Sequence, residues 1–281
     1  MDAPPDKENC SKFIQVAKIF RDMDINVPKL IKTSPDEGFI LMTDFGSVQY
    51  LDILNINVSE NNTQYKDAIN TLLNMQKKGK AYQEMFLPYS ESLIREEMSL
   101  FIDWFLDRHH GYQLSKTETE SWQDCVHILT QNALSQPQVL VHRDYHSRNL
   151  MVLDSHNPGI LDFQDAVIGP ITYDLVSLLR DCYLSLKSDV VAEFSSYFYR
   201  NLDEQVITGI TQNQFAKFFD LMGVQRHLKA VGIFSRLNYR DGKSIYLNDI
   251  PRTLDYILTV AENYPEVLFL VKLIKKVSSK G

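Results

Sequence analysis

A chain of 281 residues, 44% hydrophobic and 23% charged, can bury a sizeable core in one large domain or two lobes. Its formal net charge of −7 argues against nucleic acid or an anionic membrane as the main partner. No apolar run approaches the roughly 20 residues a membrane-spanning helix needs, residues 1–8 lack the apolar segment of a signal peptide, and Cys10, Cys125 and Cys182 have the spacing of neither a disulfide framework nor a metal site. The expectation is a cytoplasmic protein with no membrane partner and with buried or idle thiols.

From the start of the chain, Phe13, Ile14, Val16, Ala17, Ile19 and Phe20 give Lys7 to Asp24 a broad apolar face and predict a helix. Val27–Ile31 and Gly38–Met42 predict strands around the turn at residues 34–37, and Thr43-Asp44-Phe45-Gly46 breaks that pattern. Beyond about Tyr50 the chain reads as helical. One helix carries Tyr65, Ile69, Leu72, Leu73 and Met75, and a second carries Leu93, Met98, Phe101, Trp104 and Phe105. A third opens on the candidate capping box Ser115-Lys116-Thr117-Glu118. Val139–Val141, Leu150–Leu153 and Gly159–Leu161 interrupt as short strands, and helices resume from Tyr173 to Lys276 with breaks near Gly209, Gly242 and Pro251.

The three short strands frame the residues that carry chemistry. His142-Arg143-Asp144-Tyr145-His146-Ser147-Arg148-Asn149 follows the first strand, and Asp162-Phe163-Gln164-Asp165 follows the third. Residues 154–159 form a good hairpin turn, so the two segments fold back onto one cleft. Taken alone, an Asp or an Asn after a strand often does no more than make a turn. In this order they form the set phosphoryl transfer needs: a carboxylate, Asp144, to orient and deprotonate a hydroxyl, and Asn149 and Asp162 as hard oxygen ligands for Mg²⁺.

Neighbouring residues leave alternatives open. His142 is a base or, as the favoured reading, a loop histidine that fixes the backbone. Arg148 meets phosphate or pairs with a surface carboxylate. Asp165, like Gln164, touches metal-bound water or substrate, or caps the next turn. Arg226, Lys229, Arg236 and Arg240 share one helix face, which is a solvated or ion-paired face or an anion site.

The loop HRDYHSRNL, the segment GILDFQDAVIGPITYDLVSLLRDCY and the later MGVQRHLKAVGIFSRLNYRDGK resemble the aminoglycoside phosphotransferase family. Within it they are most similar to the bacterial kinases of cell-wall recycling that phosphorylate the anomeric hydroxyl of N-acetylmuramate and N-acetylglucosamine. The resemblance covers nearly the whole chain. It implies an α+β, protein-kinase-like two-lobe fold, with a truncated N-terminal nucleotide lobe and hinge over residues 1–46 and a large helical catalytic and acceptor-binding lobe over residues 47–281. It implies ATP as donor, Mg²⁺ as cofactor, and an amino sugar as acceptor. Asp144 matches the catalytic aspartate and Asn149 and Asp162 the metal ligands. Met42, Thr43 and Phe45 fall at the adenine-binding hinge, and Asp174 matches an aspartate that braces the catalytic loop. Arg148, Asp165, Arg226, Arg236 and Arg240 are the candidates for the acceptor.

One departure is plain. Residues 1–5 resemble the end of the strand that bears the family's basic phosphate-binding residue, and neither that residue nor a Gly-rich phosphate loop is matched. The expected account is a start at an internal methionine, the other being a compromised nucleotide lobe. The rival functions are a kinase for choline, homoserine or an aminoglycoside, whose cationic acceptors call for carboxylates, and a non-catalytic pseudokinase-like binding protein.

Overall fold

The computed structural model describes residues 1–2, 10–54 and 62–279. The chain divides into two compact units, one from Met1–Pro88 with Gln138–Thr208 and the other from Tyr89–Pro137 with Gly209–Gly281. This partition by compactness runs along different lines from the expected lobes at 1–46 and 47–281.

In the first unit, helix α1 (Cys10–Asp22) buries Phe13, Val16, Ala17, Ile19 and Phe20, the apolar face its periodicity predicts. The expected first turn, from Lys7, lies outside the described residues. Strands β1 (Leu30–Ser34) and β2 (Phe39–Met42) pair antiparallel, Thr33 facing Ile40 and Ser34 facing Phe39, around a 3-10 turn at Pro35–Glu37. β1 starts later than the expected Val27, because Pro28 has no N–H to give to a ladder. A short helix α2 (Tyr50–Leu54) and a long one, α3 (Asn62–Gly79), follow.

The second half of this unit holds the expected hairpin. β3 (Gln138–Val141) leads into the loop, and β4 (Leu150–Met151) pairs antiparallel with β5 (Gly159–Ile160). Gly159 is required there. A Cβ on it would lie 2.7 Å from Phe45 Cδ2 and 2.9 Å from Leu153 Cδ1. Sequence reading missed β6 (Val167–Pro170), which pairs antiparallel with β3 over its full length. Its Gly-Pro ending hides a strand by propensity, and pairing with buried β3 overrides that preference. Helices α6 (Tyr173–Leu179), α7 (Ser188–Asn201) and α8 (Glu204–Ile207) complete the unit.

The second unit is helical. α4 (Glu91–Leu100) passes directly into a π-helix at Phe101–His109, so one predicted helix holds two windings. α5 (Lys116–Leu134) opens on the predicted capping box: Ser115 Oγ accepts from Glu118 N–H and the Glu118 carboxylate accepts from Ser115 N–H. The 30-residue α9 (Gln212–Asp241) is closed by Gly242 in the left-handed conformation and is buried without interruption from Leu221 to Lys229. Gly232 lets it approach the α4 backbone, since a Cβ there would sit 2.4 Å from the Leu100 carbonyl carbon. α10 (Ile250–Ala261), with Pro251 in its first turn, and α11 (Leu268–Ser278) pack beyond it. All three cysteines are buried, and burial pushes the Cys125 thiol up to about 12, which keeps it an inert thiol. Among the described residues no helix is long and apolar enough to cross a membrane.

Candidate active site

The loop after β3 is held by carboxylates that it does not itself contain. Asp174, fully buried in the first turn of α6, accepts from the N–H of His142 at 2.6 Å and of Arg143 at 2.9 Å. This is the bracing expected of it. Asp181, just beyond α6 and also buried, accepts from Ser147 N–H at 2.8 Å and, on its other oxygen, from Tyr183 N–H at 2.8 Å. Sequence reading did not single out Asp181, two residues beyond the end of α6, because its partner Ser147 is distant in the chain. Tyr145 ties the middle of the loop to α3 by donating its buried hydroxyl to the Ala68 carbonyl at 2.8 Å. Arg143 is held at φ 78°, a left-handed conformation that a non-glycine residue keeps only where its surroundings over-determine it.

His142 is a structural residue. Its ring is wholly buried, and Nδ1 accepts from Asp144 N–H at 3.2 Å. Nε2 therefore carries the proton and donates to the Leu161 carbonyl at 3.0 Å. Burial lowers its pKa to about 4, so at neutral pH it is uncharged and links the Asp144 segment to the residue before Asp162. The reading of His142 as a base is set aside.

Asp144, half-buried, and Asn149 share this loop, and the hairpin returns Asp162 to them. Asn149 Nδ2 donates to the Asp144 carbonyl at 3.0 Å and to Asp162 Oδ2 at 3.4 Å. Gln164 Nε2 donates to Asp162 Oδ1 at 2.7 Å. With the amide nitrogen of Asn149 spent on two acceptors, its oxygen is the atom left to serve a cation. That oxygen and the Asp162 carboxylate form a hard donor set suited to Mg²⁺. Among the described residues no group of three or more His, Cys, Asp or Glu could hold a metal ion alone. A partial oxygen set is what an ion arriving with nucleotide phosphates requires. Asp162 itself is held at φ 61°. Behind it, Phe163 is buried against Phe13 and Phe20 of α1, with ring centroids 4.8 and 5.6 Å away.

A cleft of about 540 Å³ opens over these residues, lined among others by Met42, Arg148, Asn149, Asp162 and Gln164. A smaller hollow of about 320 Å³ shares Pro28, Met42 and Leu161 with it and adds Thr43, Phe45 and Gly46. Of the three hinge candidates, Met42 lines the cleft, and Thr43 and Phe45 line the smaller hollow beside it. The Thr43 N–H donates to the Lys29 carbonyl at 3.0 Å, so that amide is already used, and the Phe45 ring packs over Gly159.

The acceptor candidates meet different fates. The Arg148 guanidinium lies over the Tyr183 ring, 4.8 Å from its centroid, on the cleft wall. Asp165 pairs with Lys12 of α1 at 2.9 Å. In the second unit Arg226 is buried, Arg236 half-buried, and the exposed Arg240 pairs with its neighbour Asp241 at 2.8 Å. Lys229, from the same face, is buried in an ion pair with Glu97 at 2.9 Å. The cationic helix face, read from the sequence as solvated or ion-paired or as an anion site, is graded from core to surface, and Lys229 and Arg240 are ion-paired.

Comparison with known proteins agrees with this geometry. The sequence profile described as "Phosphotransferase enzyme family" matches residues 1–204. The chain is 39% identical over 281 residues to the N-acetylmuramate/N-acetylglucosamine kinase of Pseudomonas putida, covering 99% of this chain and 81% of that protein. It is 40% identical over 280 residues to the protein of the same name from Neisseria meningitidis serogroup B, covering 98% and 81%. Among solved structures its fold is similar to aminoglycoside phosphotransferase APH(2'')-Ib with ADP bound, at TM-score 0.57 and 13% identity, over 88% of this chain and 81% of that one. The Plasmodium vivax ethanolamine kinase matches equally well, at TM-score 0.57 and 13% identity, over 88% and 72%. A loop geometry suited to phosphoryl transfer, a matching profile over most of the chain and relatives aligned over nearly the whole of this chain leave one assignment: this chain belongs to the phosphotransferase enzyme family, with a protein-kinase-like α+β fold.

Proposed function

We infer that the chain transfers the terminal phosphoryl group of ATP to the anomeric hydroxyl of an amino sugar, N-acetylmuramate or N-acetylglucosamine, in the cytoplasm. The observation that carries this reading is that Asn149 bonds both the Asp144 carbonyl and the Asp162 carboxylate, beside a cleft that Asn149 and Asp162 line, in a chain 38–40% identical over nearly its whole length to kinases named for those sugars. Asp144 orients the sugar hydroxyl and accepts its proton on a carboxylate oxygen. An anomeric hydroxyl is more acidic than an ordinary alcohol, so a carboxylate is base enough. Asn149, through its amide oxygen, and Asp162, through its carboxylate, hold Mg²⁺. When bound, the ion neutralises charge on the donor phosphates. Met42, Thr43 and Phe45 form the wall for the adenine, the Thr43 amide being committed to the Lys29 carbonyl. Of the residues expected at the acceptor, Arg148 lines the cleft beside Asn149 and Asp162, and its guanidinium suits phosphate oxygens rather than a sugar hydroxyl. Asp165, Arg226 and Arg240 lose support to their pairing or burial, and Arg236 keeps the expectation alone. Positioning and electrostatics supply the acceleration.

The test offers N-acetylmuramate, N-acetylglucosamine, their methyl glycosides, choline and kanamycin as acceptors and identifies products by phosphorus NMR. Sugar 1-phosphates from the free sugars, with the methyl glycosides inert, are expected. Faster turnover of choline or kanamycin would transfer the assignment to a cationic acceptor. Mg²⁺ titration of Asp162→Ala and Asn149→Ala completes it. Each should need more Mg²⁺ than the wild type, Asp162→Ala the more because it removes formal charge, and an unchanged requirement in both would discard the metal assignment.

A further inference from the structure

Tyr183 lies between α6 and α7 and has no part in the chemistry above, yet two side chains of the catalytic loop meet its ring. The Arg148 guanidinium rests on its ring at 4.8 Å from Cζ to the centroid. The His146 imidazole meets the same ring edge-on, with centroids 5.3 Å apart. Its backbone N–H is fixed by Asp181 Oδ1, and Oδ2 of the same buried carboxylate fixes Ser147 N–H, next to Arg148 in the chain. One aspartate thus anchors both the backbone beside Arg148 and the backbone of the ring that supports its head.

The cleft explains why such support matters. Among the described residues that line it, Arg148 is the only lysine or arginine, and Asn149 and Asp162 line it too. A protein of net charge −7 that handles phosphates must place positive charge locally. A guanidinium does this well, since its planar fork meets two phosphate oxygens at once, and stacking on an aromatic ring removes rotamer freedom it would otherwise lose on binding.

We propose that Tyr183 is a positioning residue for phosphoryl transfer: its ring holds the Arg148 guanidinium at the cleft wall, where the guanidinium takes the phosphate oxygens of the nucleotide. The inference rests on the kinase reading and adds to it the cation that receives the donor phosphates and the residue that holds it. No bond is made or broken by either residue.

Five proteins decide it: wild type, Y183F, Y183L, R148A and Y183L/R148A. Each is assayed for turnover of N-acetylglucosamine and titrated calorimetrically with Mg²⁺ and a non-hydrolysable ATP analogue. Y183F keeps the ring face and should stay within about twofold of wild type. Y183L should lower kcat/KM for ATP, and affinity for the analogue, about 3- to 30-fold, the range of a cation–π contact from exposed to desolvated. In the R148A background Y183L should add less than about twofold, because the partner is gone. Equal losses from Y183L in the two backgrounds overturn the proposal, as does a Y183F loss equal to that of Y183L. Y183W is carried beside them in case Y183L does not fold; Y183F and Y183W near wild type support the stack, and loss in both overturns it. A wild type that binds the analogue but phosphorylates no sugar sinks the sugar-kinase reading alone, and the affinities then decide the Tyr183–Arg148 coupling. A wild type that binds no nucleotide overturns both.

Discussion

The loop from His142 to Asn149 and the stretch of α9 from Gln225 to Arg240 are both dense in charge, and buried acids serve them in opposite ways. Under the loop, Asp174 and Asp181 spend their oxygens on backbone amides. The bracing is delivered to the main chain, and the loop becomes a platform for side chains that face a cleft. Along α9, the buried Glu97 spends its oxygens on side chains: one on the Lys229 ammonium and one on the Tyr89 hydroxyl, which in turn accepts from Gln225 Nε2 at 2.9 Å. That carboxylate neutralises a core charge and builds no site. A buried acid on amides signals a functional loop, whereas a buried acid on a lysine signals a polar element of the core.

The largest effect should come from the loop. Asp144→Asn keeps size and removes the base, so kcat should fall by about 10²- to 10⁴-fold. Because the bracing of the loop runs through Asp174 and Asp181, the urea unfolding midpoint should not move. Retention of half the wild-type turnover would remove Asp144 from its role.

On α9 the contrast should appear as stability. Lys229→Met leaves Glu97 charged and buried, and breaking a buried pair in this way costs about 3–5 kcal/mol. Adding Glu97→Leu should restore part of that loss, because it removes the stranded charge but also takes the acceptor from the buried Tyr89 hydroxyl. Arg240→Ala, at the exposed end, should leave the unfolding midpoint almost unmoved, since its pair with Asp241 is screened by water. Urea denaturation of the four proteins measures this. If Lys229→Met is as mild as Arg240→Ala, the two regions are not the opposites described.

What could be read beforehand follows the same line. The loop that carries Asp144 and Asn149, its approach to Asp162 and the capping box at Ser115 and Glu118 were legible because order, spacing and turn chemistry are local properties of a chain. The hairpin was legible for the same reason. Burial around α9 was not. Arg226 and Lys229 at helical spacing look like a solvated face, and only the packing of α4, α5 and α10 around that helix puts them inside. β6 was missed because its pairing with β3 is non-local, and Asp181 because a lone aspartate after a helix becomes a brace only when Ser147 arrives beside it.

A smaller effect should tie the hairpin to the nucleotide wall. Gly159→Ala places a methyl group against the Phe45 ring and Leu153, and overpacking of this kind costs about 1–3 kcal/mol. Phe45 must move to admit it, so KM for ATP should rise with the loss of stability. A stable variant with unchanged KM would show that Phe45 does not define that wall.

The smallest effect lies in the second unit, far in sequence from the loop, and is read by pH. Glu118 closes the capping box of α5 and also accepts from Lys276 of α11 at 2.8 Å and from the Tyr112 hydroxyl at 2.7 Å. The bond from the Lys276 ammonium, then those from Ser115 and Tyr112, hold its carboxyl down at about 2, against an ordinary value of 4.5. A carboxylate depressed on folding stabilises the native state fully above its unfolded pKa and loses that contribution as pH falls through the folded one. The window is therefore about pH 4.5 down to about 2. Lys276 is half-exposed, so water and salt screen the pair and the effect of the charge is small. Glu118→Gln keeps the cap geometry and removes the charge. Its stability relative to wild type should be lower at pH 7, and the difference should close as pH falls through that window. A difference that stays constant between pH 7 and pH 2 would show that the Glu118 charge contributes nothing to holding α5 and α11 together.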